Sequence, residues 1–104
     1  MTARRTLPNK RAHHVFSFEH DGLAYTAGAG FFPDGGLAEV FLSCAKPGSA
    51  ASTAAQDAAV IASIALQHYT PLSCIRRALT RLSNGSAAGP LGRALDLIDA
   101  STYG

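Results

Sequence analysis

Alternation governs the first half of this chain and helical spacing the second. From His14 to Phe18 apolar and polar side chains alternate, Val15 apart, which predicts a short strand. Glu19-His20-Asp21-Gly22 then supplies a turn, Asp-Gly being a strong hairpin signal because glycine accepts positive φ. Leu23 to Phe32 reads as a second strand, with Gly28 and Gly30 marking a bulge or the close approach of another backbone. Pro33-Asp34-Gly35-Gly36 makes the next turn, and Leu37 to Cys44 the third strand. Three strands joined by two tight turns form an antiparallel meander, one face of which must be covered.

The cover follows in the sequence. Gly48 and Ser49 end the apolar run, and Ala50 to His68 contains no Pro, no Gly and a single charge, Asp57. Alanine dominates this stretch, so the helix surface is nearly smooth. A sheet or a second helix can approach it closely, which predicts burial on more than one side. Thr70 is placed to cap a second helix with Pro71 at its first position, and Leu72, Ile75, Leu79 and Leu82 recur at helical spacing until Asn84-Gly85 stops it. Gly89-Pro90 opens a third, with Leu91, Leu95 and Ile98 on one stripe and Asp96 and Asp99 off it. The expected fold is α+β: a three-stranded antiparallel β-meander followed by three helices, the first long and alanine-rich. Residues 1–12 hold four of the nine basic residues and no hydrophobic period, so they read as a basic flexible arm before a single domain over 13–104.

Composition narrows the class. Of 104 residues, 47% are hydrophobic and 15% charged, which argues against disorder and leaves little charge to keep a monomer dispersed. Gln56, Asp57, Gln67 and His68 interrupt the alanine helix, so no stretch has the ~20 apolar residues that span a bilayer. The basic N-terminus has no apolar segment behind it, as a secretory signal would need. With two cysteines thirty residues apart, the expectation is a cytoplasmic protein with free thiols and no membrane association. A small charge with two open sheet edges and two faces further predicts a homodimer.

The candidate chemistry is sparse. His13, His14, His20 and His68 with Cys44 and Cys74 lack the paired spacing of structural zinc sites, and no local signature makes a Cys–His nucleophile. Gly28-Ala29-Gly30 lies within a strand with no helix after it, so it lacks the dipole and N–H groups of a phosphate loop. No catalytic, cofactor or metal residue is assigned. The basic residues carry more weight. Arg76, Arg77 and Arg81 lie off the Leu72/Ile75/Leu79 stripe, where an exposed cluster is expected, and Arg4, Arg5, Lys10 and Arg11 could add contacts from the arm. These seven form the candidate surface for nucleic acid or an acidic partner.

A set of short motifs, in order, adds a resemblance. Leu7-Pro8-Asn9-Lys10-Arg11 leads to a strand with Phe16 and Phe18, then come Gly22-Leu23-Ala24-Tyr25, Asp34-Gly35-Gly36, Ala38-Glu39-Val40-Phe41-Leu42, Lys46-Pro47-Gly48-Ser49, Leu66-Gln67-His68-Tyr69-Thr70-Pro71-Leu72 and Ala88-Gly89-Pro90. Over about residues 5–100 the chain resembles the TSCPD domain found at the C-terminal end of adenosylcobalamin-dependent (class II) ribonucleotide reductases and as free-standing small proteins. The Thr-Ser-Cys-Pro-Asp string that names the domain is missing, and Tyr69 stands where that family usually has Gly. The resemblance implies an auxiliary role beside a reductase. The reductase's own catalytic barrel could not fit in this length, since an eight-stranded α/β barrel takes ~250 residues. The expected function is therefore a non-catalytic accessory or regulatory domain acting through protein contacts, with a ribonucleotide reductase as the implied partner. The alternative is a small DNA-binding regulator that uses the arginine helix and the basic arm.

Overall fold

A computed structural model describes residues 3–9 and 11–101. It contains β1 (His13–His20), β2 (Leu23–Phe31), β3 (Leu37–Cys44), α1 (Ala50–Gln67), α2 (Leu72–Ala78) and α3 (Pro90–Ala100). The strands form one antiparallel sheet in the order β1-β2-β3. The α+β meander with a long first helix expected from the sequence is the observed fold. Asp21 and Gly22 both take positive φ, 51° and 77°, as a two-residue hairpin of the I′ kind requires. The bulge expected at Gly28–Gly30 sits at the Gly30/Phe31 step, where the β2–β3 register shifts and Ala38 is passed over.

The two faces of the sheet differ. Tyr25, Ala27, Ala29 and Phe31 of β2 share the inner face with Val40, Leu42 and Cys44 of β3, and these pack on Ala55, Ala59 and Ala62 of α1 and Leu91, Ala94, Leu95 and Ile98 of α3. Phe16 and Phe18 of β1 join this core only in part. The outer face is the alternate set of positions: Val15, Thr26, Gly28, Phe41 and their neighbours.

Alanine explains where α1 lies. It packs chiefly on β3 and runs antiparallel to it along that strand's outer edge. Ser63 Oγ accepts from the Val40 N–H at 2.9 Å and donates to the Val40 carbonyl at 3.0 Å, while Gln67 Nε2 donates to the Ala38 carbonyl at 3.0 Å. The helix thus satisfies edge groups that another strand would otherwise take. Ser49 caps its start, its Oγ accepting from the Ser52 N–H at 3.1 Å. Its end closes in a Schellman arrangement: Tyr69 N–H to the Leu66 carbonyl and Thr70 N–H to the Ala65 carbonyl, with Tyr69 at φ 69°. Tyr69 thus occupies a left-handed backbone position that favours glycine.

Two expectations need correction. The second helix does not reach Leu82; it ends at Ala78, and Leu79 is extended. Residues 80–88 instead fold back on themselves. Leu82 N–H bonds the Ser86 carbonyl, Ala88 N–H bonds the Thr80 carbonyl, and Arg81 and Ala87 form a bridge. Asn84-Gly85 is the tip of that turn, not a helix stop, with Gly85 at φ 89° and Asn84 Oδ1 accepting from the Ser86 N–H at 3.0 Å. The helical spacing of the leucines does not hold as burial: Leu79 is half-buried in extended backbone and Leu82 is exposed.

The segment expected as a loose arm lies against the domain through its described residues. Arg5 N–H bonds the Gln67 carbonyl at 2.7 Å, and Ala12 extends the β1–β2 ladder by accepting from the Phe31 N–H at 3.0 Å. No helix among the described residues is long and apolar enough to cross a membrane.

Candidate interaction surface

The arginines expected to gather on one exposed face are mostly engaged within the fold. On α2, Arg76 Nε pairs with Asp96 Oδ1 at 2.9 Å and its NH1 with Asp99 Oδ2 at 2.8 Å. Arg81, on the turn that follows, grips Asp96 with both terminal nitrogens and also donates to the Arg76 carbonyl at 3.1 Å. Both arginines are half-buried. This fork holds the Asp96 carboxyl well below its ordinary 3.8, at about 2, chiefly through the Arg81 hydrogen bonds and then those of Arg76. The exposed cluster expected of Arg76, Arg77 and Arg81 is therefore corrected: α3 presents Asp96 and Asp99 to two of them. Arg77 is the exposed member, its NH2 3.6 Å from Cys74 Sγ.

The basic residues near the N-terminus are likewise bound. Arg4 Nε donates to Gln67 Oε1 at 2.5 Å. Arg5 lies with its guanidinium carbon 3.5 Å from the Phe32 ring centroid and 5.5 Å from that of Tyr69, and reaches Asp34 at 3.4 Å. The Asp34 carboxyl is held below its ordinary value first by the Gly36 N–H and then by Arg5. Arg11 pairs with Glu39 and donates to the Pro8 carbonyl at 2.7 Å. Lys10 lies outside the described residues.

Glu39 is a buried carboxylate on the outer face. Its room comes from Gly30: a Cβ there would stand 2.5 Å from Glu39 Oε2. Arg11 neutralises it, and His13 Nε2 lies 3.8 Å from the same oxygen. At Gly28 the demand is milder, since a Cβ there would stand 3.4 Å from the Phe41 ring, at the edge of ordinary contact. The Gly-Ala-Gly stretch thus makes room for side chains of β3, where the sequence suggests a bulge or another backbone.

The candidate metal and thiol residues stay apart. Cys44 is buried in the core and Cys74 exposed on α2, both as free thiols. His20 Nε2 sits 2.9 Å from the Ala88 carbonyl, tying the β1–β2 hairpin to the start of α3. Among the described residues, no three His, Cys, Asp or Glu side chains gather as a metal site would need.

What the structure does bring together is apolar. Between the outer sheet face and the exposed side of α1 runs an open groove of about 730 Å³, with Val15, Phe41, Val60 and Ile64 among its lining residues. Val15 is 67% exposed, Phe41 53% and Val60 56%, and Ile61 adds a further exposed apolar side chain on α1. Soluble monomers rarely leave such a contiguous patch in water. The sequence signal for it was the excess of large apolar residues over available cover. Nothing in the sequence pointed to Ser63 and Gln67, because a hydroxyl and an amide on a helix carry no pattern until the strand edge beside them is known. Comparison with protein-family models, with curated proteins and with solved structures gives no match.

Proposed function

We propose that the chain is a non-catalytic accessory domain that works through protein contacts, with the outer sheet face and the adjoining side of α1 as its contact surface. The observation that carries this reading is the groove bounded by Val15, Phe41, Val60 and Ile64. Branched and aromatic side chains make up much of its walls, and its arm-side charges are engaged within the fold, Glu39 by Arg11 and Arg4 by the Gln67 amide. Such a surface suits an apolar protein segment and gives little to a charged small molecule. The resemblance to the TSCPD domain selects the partner: a class II ribonucleotide reductase polypeptide from the same cell that lacks a domain of this kind.

Titration calorimetry of the purified protein against that reductase tests the reading. Binding is expected, and Phe41→Asp and Val60→Asp are each expected to weaken it at least about tenfold, as loss of a central apolar anchor does. Both positions are exposed, so circular dichroism should stay unchanged. No heat of binding with the wild-type protein would overturn the assignment. The DNA-binding alternative rests on Arg77 and whatever contribution Lys10 makes, since Arg76 and Arg81 already share Asp96. A gel-shift at low salt is expected to show no complex.

A further inference from the structure

The edge of β3 is closed by α1, but the edge of β1 is not closed by anything within the described residues. The ladder's alternation identifies the groups involved. Val40, whose backbone turns away from β2 to Ser63, fixes the phase of β3. The Ala45-to-Ala24 and Phe31-to-Ala12 bonds carry that phase across β2 to β1. His14, Phe16 and Phe18 therefore bond β2, and the N–H and C=O groups of His13, Val15, Ser17 and Glu19 point outward. Among the described residues, no hydrogen bond from another part of the fold reaches these four backbones. Their side chains are exposed as well. The strand carries no Lys, no Pro and no bulge against β2, so it lacks the usual devices that blunt an edge.

We propose that β1 pairs antiparallel with β1 of a second copy of this chain, about a two-fold axis at Phe16, making one continuous sheet of twice the width. Only this centre sets each of the four outward-facing residues against another of the four. His13 then lies opposite Glu19 of the partner subunit, and Val15 opposite Ser17 of the partner subunit. The polar side chains favour this arrangement, because one end of the strand carries the exposed His13 imidazole and the other the exposed Glu19 carboxylate, Arg11 being held by Glu39. Antiparallel pairing brings unlike ends together, whereas parallel pairing would set like against like. On the inner face, Phe16 meets Phe16 of the partner subunit, which covers a ring that the monomer leaves half-buried. The second copy thus completes both the ladder and the aromatic row. The outer faces of both copies stay open on one side of the joined sheet, so the dimer is independent of the partner proposed above.

Sedimentation equilibrium at micromolar concentration is expected to give twice the 10.8 kDa mass of one chain. A single-chain mass would overturn the pairing. Glu19→Lys, at an exposed position, is expected to weaken the dimer about tenfold, since each of the two symmetric His13–Glu19 contacts loses its carboxylate acceptor and gains an ammonium beside the imidazole; an unchanged dimer would overturn the register. Cross-linking reads the register directly. In a Cys74→Ser background, Val15→Cys protein mixed with Ser17→Cys protein should form a disulfide-linked dimer of the two variants under mild oxidation. Neither variant alone should do so. A dimer that cross-links through Val15→Cys alone, or through Thr26→Cys on the outer face, would show a different interface and overturn the proposal. Circular dichroism of each variant against wild type confirms that the fold is kept, and neither measurement requires a reductase.

Discussion

The two edges of one small sheet end in opposite ways. At β3, a helix of small residues lies close enough for Ser63 and Gln67 to take up the outward groups of Val40 and Ala38. At β1, the equivalent groups of His13, Val15, Ser17 and Glu19 take no hydrogen bond from the other described residues. The difference lies in side-chain volume. An alanine-faced helix can run beside a strand at hydrogen-bonding range, whereas α3, with the larger Leu91, Leu95 and Ile98 on its buried stripe, packs into the core against the inner sheet face. A fold with one smooth helix can close one edge.

The largest test of this comparison is volume on the closed side. Ala62→Leu is expected to cost about 1–3 kcal/mol by overpacking between α1 and the sheet, whereas Ile61→Ala, one residue along and 68% exposed, should stay within about 0.5 kcal/mol. Urea unfolding of both variants checks the contrast, and equal losses would break it.

Next in size is the hydroxyl that closes the edge. Ser63→Ala strips the Val40 N–H and C=O of their partner and is expected to cost about 1–2 kcal/mol. Amide exchange at Val40 should quicken by about tenfold or more as that bond is lost. If Val40 stayed fully protected, the edge would be held by packing alone.

The Arg76–Asp96–Arg81 fork sits away from both edges and sharpens the comparison by serving as a control. Asp96 has its pKa lowered from 3.8 to about 2, so its stabilising contribution is full above about pH 4 and is lost as pH falls through about 2. The contribution is about 1–2 kcal/mol after allowance for the solvent that reaches the arginines. Asp96→Asn should lower stability at pH 7 by that amount and flatten its fall between pH 4 and 2, as followed by thermal melts. The β1 edge should not respond, so the dimer mass at pH 7 should be unchanged in this variant.

The smallest expected effect is a gain. Tyr69→Gly relieves a left-handed backbone at the end of α1 and should add less than about 1 kcal/mol, reduced by the lost contact with Arg5. A net loss would show that the Arg5–Tyr69 contact outweighs the strain.

Much of the fold was legible because it depends on local chemistry. Asp21-Gly22 calls for a turn with two positive φ angles, Pro33 to Gly36 calls for another, and a run of alanines without Pro or Gly calls for a helix. The α2 error shows where that legibility stops. Leu79 and Leu82 continue a helical spacing, yet Leu79 is half-buried in extended backbone and Leu82 is exposed. Asp96 on α3 holds Arg81 across that turn, and a residue fifteen positions away has no signature in local periodicity. The arginine surface failed for the same reason. Spacing placed Arg76 off the apolar stripe, but only the packing of α3 on α2 brought Asp96 and Asp99 to it.

The sequence by itself determined the meander, the helix order and the smoothness of α1, because turns, alternation and side-chain size act over a few residues. It also showed more large apolar side chains on the strands than one alanine helix, able to cover a single face, would bury. Tertiary structure alone decided which edge α1 would close, which arginines would be neutralised and which face would remain open. Those outcomes depend on distances between residues far apart in the chain, and a pattern of residue types holds no distances until the fold sets them.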